Sequence, residues 1–110
     1  MTIDACMRLV DELMPNRIPR EVKLRLLGEV EGKVRVELLG EEPDAAPVID
    51  ENTPADTELS APAPFDQLYL LYVMAMMDHT EGDTARYENT AILFNAVYQG
   101  YGKWLKRRGA

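Results

Sequence analysis

The residues best suited to metal binding in this sequence lie close together around Gly82. Four possible ligands fall within six positions: Asp78, His79, Glu81 and Asp83. Their spacing does not match a calcium-binding loop, because placing Gly82 at the sixth position of such a loop would put Met77 at the first ligand position. His79 near the end of one helix and Asp83 at the start of the next are equally suited to stabilising helix termini. We therefore expect no metal ion and no cofactor.

Side chains for covalent catalysis are scarce. The sequence has one cysteine, Cys6, one histidine and one plain candidate serine, Ser60, and these form no recognisable nucleophile–base arrangement. The segment 28–34, GEVEGKV, resembles a phosphate-binding loop. It has one residue too few between its glycines, however, and it lacks the Ser or Thr that would hold magnesium. We expect no catalytic residues and no enzymatic activity.

Length and composition are those of one small globular domain. The 110 residues are 46% apolar, which suits a single domain over 1–110 with one modest core. A net charge of −7 has the wrong sign for a general nucleic-acid-binding protein. The longest uncharged apolar stretch, 68–77, is about half as long as a membrane helix, and the first residues carry no export signal. We expect a soluble intracellular protein in which Cys6 is a small buried side chain.

The whole negative surplus lies in one segment, residues 41–60. This segment contains no Lys or Arg and has seven acidic residues: Glu41, Glu42, Asp44, Asp50, Glu51, Asp56 and Glu58. It also contains Pro43, Pro47 and Pro54, which remove backbone donors and disfavour helix, while the like charges repel one another. The segment is therefore predicted to be an extended or mobile loop over 40–63. Such a long loop can be functional or simply a solvated connection, and both interpretations remain open.

Four helices are predicted around this loop, at 3–14, 19–39, 64–80 and 83–108. Apolar residues recur at helical spacing in the first two; Thr2 can cap the first, and Pro19 suits the first position of the second. Asp83 can cap the fourth helix after a stop at Gly82. The apolar seam of that helix is regularly spaced: Tyr87, Ala91, Phe94, Tyr98, Tyr101 and Leu105. The sequence thus predicts an all-α, four-helix domain with an acidic, proline-rich loop between helices 2 and 3.

Residues 33–38 allow a second interpretation. Charged and apolar side chains alternate here, and residues 31–32 could form the turn of a β-hairpin. Acid-before-base pairs four residues apart favour the helix, because such pairs meet only on helical backbone. Three pairs have this spacing: Glu21 with Arg25, Glu29 with Lys33, and Glu31 with Arg35.

The third helix is the segment that most clearly needs a partner. Residues 68–77 are apolar on every side, so the helix must be covered all round, either at the centre of the domain or by another subunit. Methionine and tyrosine suit an adaptable contact surface between subunits. The candidate oligomer interface is therefore Tyr69, Tyr72, Met74, Met76 and Met77. The alternative is that this is simply the central core helix.

The order of these features resembles the head–tail connector (adaptor) proteins of tailed bacteriophages and of the prophages in Gram-positive bacterial genomes. A short opening helix leads through PNRIP (15–19) into a charged helix that contains GEVEGKV (28–34). The acidic proline-rich loop follows, then PFDQLYLLY (64–72), DTARYENTAILFN (83–95) and an end rich in Tyr, Trp and basic residues. The resemblance covers nearly the whole chain and rests on pattern and order.

The resemblance implies a structural role. Connectors of this kind are small helical proteins that assemble into a ring, commonly of about a dozen copies, beneath the portal and present a platform for neck or tail components. It also implies that the C-terminal segment docks the ring to the portal protein, here through Tyr101, Lys103, Trp104, Lys106, Arg107 and Arg108. The expected location is the bacterial cytoplasm during assembly and then the neck of the virion.

The acidic loop fits such a ring in two ways. If the loop lined the channel, its carboxylates would repel DNA phosphates; if it faced outward, it could become ordered on the next neck protein. Two rival functions remain: a small cytoplasmic homo-oligomer that acts as a protein-interaction module, and a small regulator that binds nucleic acid through the basic last turn. Neither sequence-specific nucleic-acid binding nor membrane binding is expected.

Overall fold

The computed structural model describes residues 1–46 and 48–109, and within them the chain is helical with no strand. Pro47, counted above among the loop prolines, lies outside the described residues. The elements in order are helix α1 (Ile3–Leu13), helix α2 (Arg20–Lys33), a π-helical segment (Val34–Leu38), a 3₁₀ turn (Pro43–Ala45), helix α3 (Gln67–Thr80) and helix α4 (Thr84–Gly109). The predicted all-α, four-helix class is confirmed.

The predicted helix ends are confirmed where a capping side chain is present. The Thr2 hydroxyl oxygen accepts a hydrogen bond from the Ala5 amide at 3.1 Å at the start of α1. An Asp83 carboxylate oxygen accepts from the Arg86 amide at 3.2 Å at the start of α4. Gly82, between α3 and α4, has a φ of +79°, a conformation that L side chains rarely adopt.

Two predicted boundaries are wrong by a few residues. Helix α3 begins at Gln67 and not at 64, because the amides of Phe65 and Asp66 both donate to the Pro62 carbonyl, which makes this stretch a turn. Helix α2 is α-helical only to Lys33, and the rest of the predicted second helix is the π-helical segment, where the Leu39 amide donates to the Val34 carbonyl five residues back.

The ion pairs that favoured a second helix are not the ones that form. Within residues 1–46 and 48–109, Lys33 pairs with Glu37 at 2.9 Å, and Arg35 pairs with Glu41, which lies beyond the helix. The helix was predicted correctly, whereas the three predicted pairs are absent from these residues, and Glu29 and Glu31 instead accept hydrogen bonds from other segments, Glu29 from Tyr72 and Glu31 from Ser60 and Tyr69.

Helix α3 lies at the centre of the domain and packs against the other three helices. Leu68, Tyr69, Val73 and Met77 have no exposed surface, and they join the core formed by α1 and α2. The alternative that α3 is the central core helix therefore holds for the side of the helix that carries these four residues. Another face is half-buried, with Leu70, Leu71 and Met74 at the edge of the core.

The segment between α2 and α3 is anchored to the helices at several points. Its backbone pairs with the start of the chain: the Leu59 amide donates to the Met1 carbonyl, and the Ile3 amide donates to the Thr57 carbonyl. Ile49 packs beside Gly28, where a Cβ would lie 3.4 Å from the Ile49 Cβ. The connecting segment is therefore in van der Waals contact with α2 at this point.

A buried carboxylate joins this segment to two helices. Glu31 of α2 is 4% exposed, and its two oxygens accept hydrogen bonds from the Ser60 amide at 3.0 Å, the Ser60 hydroxyl at 2.9 Å and the Tyr69 hydroxyl at 2.7 Å. The Tyr69 oxygen in turn accepts from the Ala61 amide at 2.8 Å. Burial, together with the neighbouring Glu31, raises the pKa of Tyr69, which keeps the phenol protonated as a donor.

We predict that Glu31→Ala lowers the free energy of unfolding by about 3 kcal/mol, because the buried Tyr69 hydroxyl and the two part-buried donors of Ser60 lose their acceptor. Urea denaturation followed by circular dichroism would measure the loss. The matched control is Glu29→Ala, two residues earlier on the same helix, where the exposed carboxylate accepts a single hydrogen bond from the described residues, that of the Tyr72 hydroxyl at 3.1 Å. Its cost should stay below about 1 kcal/mol. Equal losses in the two variants would contradict the role assigned to Glu31.

Candidate functional site

The acidic residues of the 41–58 segment are mostly exposed and differ in how they are held. Glu41 accepts two hydrogen bonds from the Arg35 guanidinium, at 2.7 and 2.9 Å, and these lower the pKa of its carboxyl. Glu58 accepts from the N-terminal ammonium at 3.1 Å. The remaining five carboxylates are exposed, like that of Glu58: Glu42, Asp44, Asp50, Glu51 and Asp56. The segment therefore presents a negative surface of six exposed carboxylates.

The five candidate interface residues on α3 differ in how much of their side chain is exposed. Tyr69 and Met77 are fully buried, so neither can contact a neighbouring subunit in this conformation, and their assignment to an interface is wrong. Their place in the core follows from the central position of α3, which covers its main face within the chain. Tyr72, Met74 and Met76 are half-buried at its edge and keep some exposed surface.

The candidate docking residues at the C-terminus also fall into two groups. Tyr101 is 2% exposed; its ring stacks on Phe65 with centroids 5.1 Å apart, so it anchors α4 and is not a surface residue. Trp104 is half-buried beside it, and the Arg108 guanidinium lies 4.7 Å from the Trp104 ring centroid. The exposed basic residues of this group are Lys103, Lys106, Arg107 and Arg108.

Helix α4 has a buried inner face and an exposed outer face. The six residues of the predicted apolar seam are all buried or half-buried, so they form the inner face. Ile92 and Leu93, outside that seam, are 66% and 56% exposed. The sequence patterns described above did not predict that these two side chains would be exposed. An indication exists in the sequence, because residues 89–102 carry no charge and include more apolar residues than one buried seam can hold.

The inner face of α4 is tied to the π-helical segment by a polar contact. The Tyr98 hydroxyl donates to a Glu37 oxygen at 2.7 Å, and the Lys33 ammonium donates to the other Glu37 oxygen at 2.9 Å. Beside this contact lies a shallow groove with an apolar floor formed by Leu38, Tyr98 and Gly102. Two lysines, Lys103 and Lys106, stand at its rim. The groove suits an apolar group that carries a negative charge.

The acidic and histidine side chains around Gly82 do not come together as ligands. Asp78 is 3% exposed and lies 3.7 Å from Arg86, whereas His79 and Glu81 are exposed. No group of three or more His, Cys, Asp or Glu side chains suited to a metal ion occurs among residues 1–46 and 48–109. Within the same residues, no helix has the length and apolar character needed to cross a membrane.

Comparison with known proteins found no match: no family model, no curated protein and no solved structure is similar to this chain.

We predict a pH-dependent effect of Glu37→Gln. Hydrogen bonds from Tyr98 and then Lys33 lower the pKa of Glu37 below its ordinary 4.5. The interactions that lower the pKa in the folded state favour the ionised carboxylate. They therefore stabilise the protein above about pH 4.5, and this stabilisation is lost as the pH falls through the lowered pKa. The variant should therefore be less stable at pH 7, by about 0.5 kcal/mol for so exposed a group, and the difference should close below pH 4.

Urea denaturation at several pH values would measure the Glu37 effect. Glu12→Gln, at an exposed position of α1, is the control and should show no comparable change. A Glu37→Gln deficit that is the same at pH 3 and pH 7 would show that the charge of Glu37 contributes nothing.

Proposed function

We propose that this chain is a structural, non-enzymatic subunit of the head–tail connector type, which assembles into a ring beneath the portal of a tailed phage or prophage. The observation that carries the proposal is the separation of its exposed surface into regions of different chemistry: the acidic 41–58 segment, the basic end of α4 and the uncharged outer face of α4. A subunit that meets copies of itself and other proteins at once needs several such surfaces.

The basic end of α4 is the surface we propose for contact with the portal protein. Its charged side chains are exposed, while Tyr101 and Trp104 pack on Phe65 and hold the last turns of α4 against the domain. This anchoring of the last turns of α4 supports the proposed role, because side chains on an anchored helix lose less conformational freedom on binding than those on a free tail. The acidic segment is the corresponding candidate for a later neck or tail component.

A second candidate function is a small cytoplasmic homo-oligomer that acts as a protein-interaction module. The exposure of Ile92 and Leu93 on α4 favours it, because large apolar side chains that remain uncovered in the single chain commonly mark contacts between proteins.

The two candidates predict different native masses. Twelve copies of the 12.4 kDa chain would have a mass of about 150 kDa, and a closed dimer about 25 kDa. Native mass spectrometry at low and high protein concentration, with negative-stain images of the same samples, would distinguish them. Because connectors can assemble on a portal, the measurement should be repeated with the portal protein of the same phage. Absence of rings in both experiments would contradict the connector proposal.

We predict that the double variant Lys106→Glu, Arg107→Glu weakens binding to the portal protein at least tenfold, because it reverses two exposed charges without touching the core. A truncation after Gly100 is less informative, since it also removes the buried Tyr101. The matched control is Arg17→Glu, Arg20→Glu, two exposed bases at the start of the chain. Biolayer interferometry with immobilised portal would compare them. Equal binding by the two double variants would show that the C-terminal assignment is wrong.

A further inference from the structure

The outer face of α4 is an uncovered surface with exposed apolar residues at its centre and charges only at its two ends. A helix advances 100° per residue, which places Ala85, Glu88, Ile92, Ala96, Gln99 and Lys103 along one line. All six are exposed, and so is Leu93 beside them. Glu88 and Lys103 take part in no ion pair within residues 1–46 and 48–109. The face therefore has an uncharged centre that exposes Ile92 and Leu93 together with the polar Gln99, one acidic end and one basic end.

The charges determine which partner and which direction this face can accept. Two copies packed in parallel would place Glu88 beside Glu88 and Lys103 beside Lys103, which is repulsive at both ends. Two antiparallel copies related by a two-fold axis between Asn95 and Ala96 would place Glu88 of each copy opposite Lys103 of the other. The helix dipoles also favour the antiparallel arrangement.

The distances suit this register. Glu88 and Lys103 are separated by about 22 Å along the helix, so each charge lies about 11 Å from the two-fold axis. At a shallow crossing angle of about 20°, two helices that touch at their centres are still close enough there for Glu and Lys side chains to meet. The small Ala96 at the axis allows close contact, and the register places Ile92 of each copy opposite Gln99 of the other, where it can pack on the aliphatic part of that side chain.

We propose that the outer face of α4 binds the same face of a second copy of this chain, antiparallel, about a two-fold axis between Asn95 and Ala96. The partner is identified by self-complementary charge and by the apolar centre. This contact is isologous and closes as a dimer, so it differs from the repeated contacts of a ring and does not rest on the connector proposal. A single pair of helices covers less area than a standard interface, and the dimer is expected to be weak and concentration-dependent.

The test is the sedimentation velocity of the full chain over a wide concentration range at low salt. The wild-type protein should pass from monomer to dimer as concentration rises. Glu88→Lys and Lys103→Glu should each weaken the dimer about tenfold or more, and the double variant, which restores opposite charges across the axis, should recover most of the loss. The matched control is Glu12→Lys, the same charge change on an exposed part of α1.

A cysteine at Ala96 would report the register directly. Residue 96 lies within one position of the proposed axis, so Ala96→Cys should form a disulfide-linked dimer under mild oxidation, whereas Ala85→Cys, on the same line but far from the axis, should not. The native Cys6 does not interfere, because it is fully buried and burial raises its pKa to about 12.

Each outcome has one meaning for this face. Charge-dependent dimers with rescue in the double variant, and a disulfide at 96 but not at 85, support the proposal. A chain that is monomeric at every concentration, a lack of rescue, or equal cross-linking at both positions would overturn it. Rings that assemble while no charge-dependent dimer forms would overturn it and support the connector proposal, so the two ideas fail separately.

Discussion

One buried carboxylate constrains the arrangement of this domain. Glu31 lies on α2, and it accepts hydrogen bonds from the segment before α3 and from Tyr69 on α3 itself. A buried carboxylate without donors costs the fold much free energy, so these hydrogen bonds favour the observed arrangement of α2, the connecting segment and α3. The long acidic connection is consequently held to the helices at Ser60 and Ala61, immediately before α3 begins.

The central position of α3 follows from this arrangement and determines which other surfaces remain free. Once α3 is covered by the three other helices, Tyr69 and Met77 are part of the core, and α4 turns its regular apolar seam inward. The outer face of α4 then has nothing to cover it. Ile92 and Leu93 remain exposed there, which is why the strongest candidate contact surface is on α4 and not on the more apolar α3.

The distribution of charge gives this small domain its chemical character. Carboxylates are concentrated in the segment between α2 and α3, and basic residues in the last turns of α4, where they also complement the helix dipole. Within residues 1–46 and 48–109 the two groups form no ion pair with each other: Glu41 pairs with Arg35, and Glu58 pairs with the N-terminal ammonium. Most side chains of both groups are exposed, so they are accessible to other molecules.

The sequence by itself determined the helical class, the number of helices and their capping residues, because these depend on local spacing and on side chains such as Thr2 and Asp83 that act within one turn. It also determined the inner face of α4. Only the tertiary structure decided the partners of Glu31, Lys33 and Arg35, since the segments that supply donors and acceptors are distant in the chain. The tertiary structure also decided which apolar residues are buried and which are exposed. The burial of Tyr69 and the exposure of Ile92 depend on which helix faces are covered, and that is a property of the packed domain.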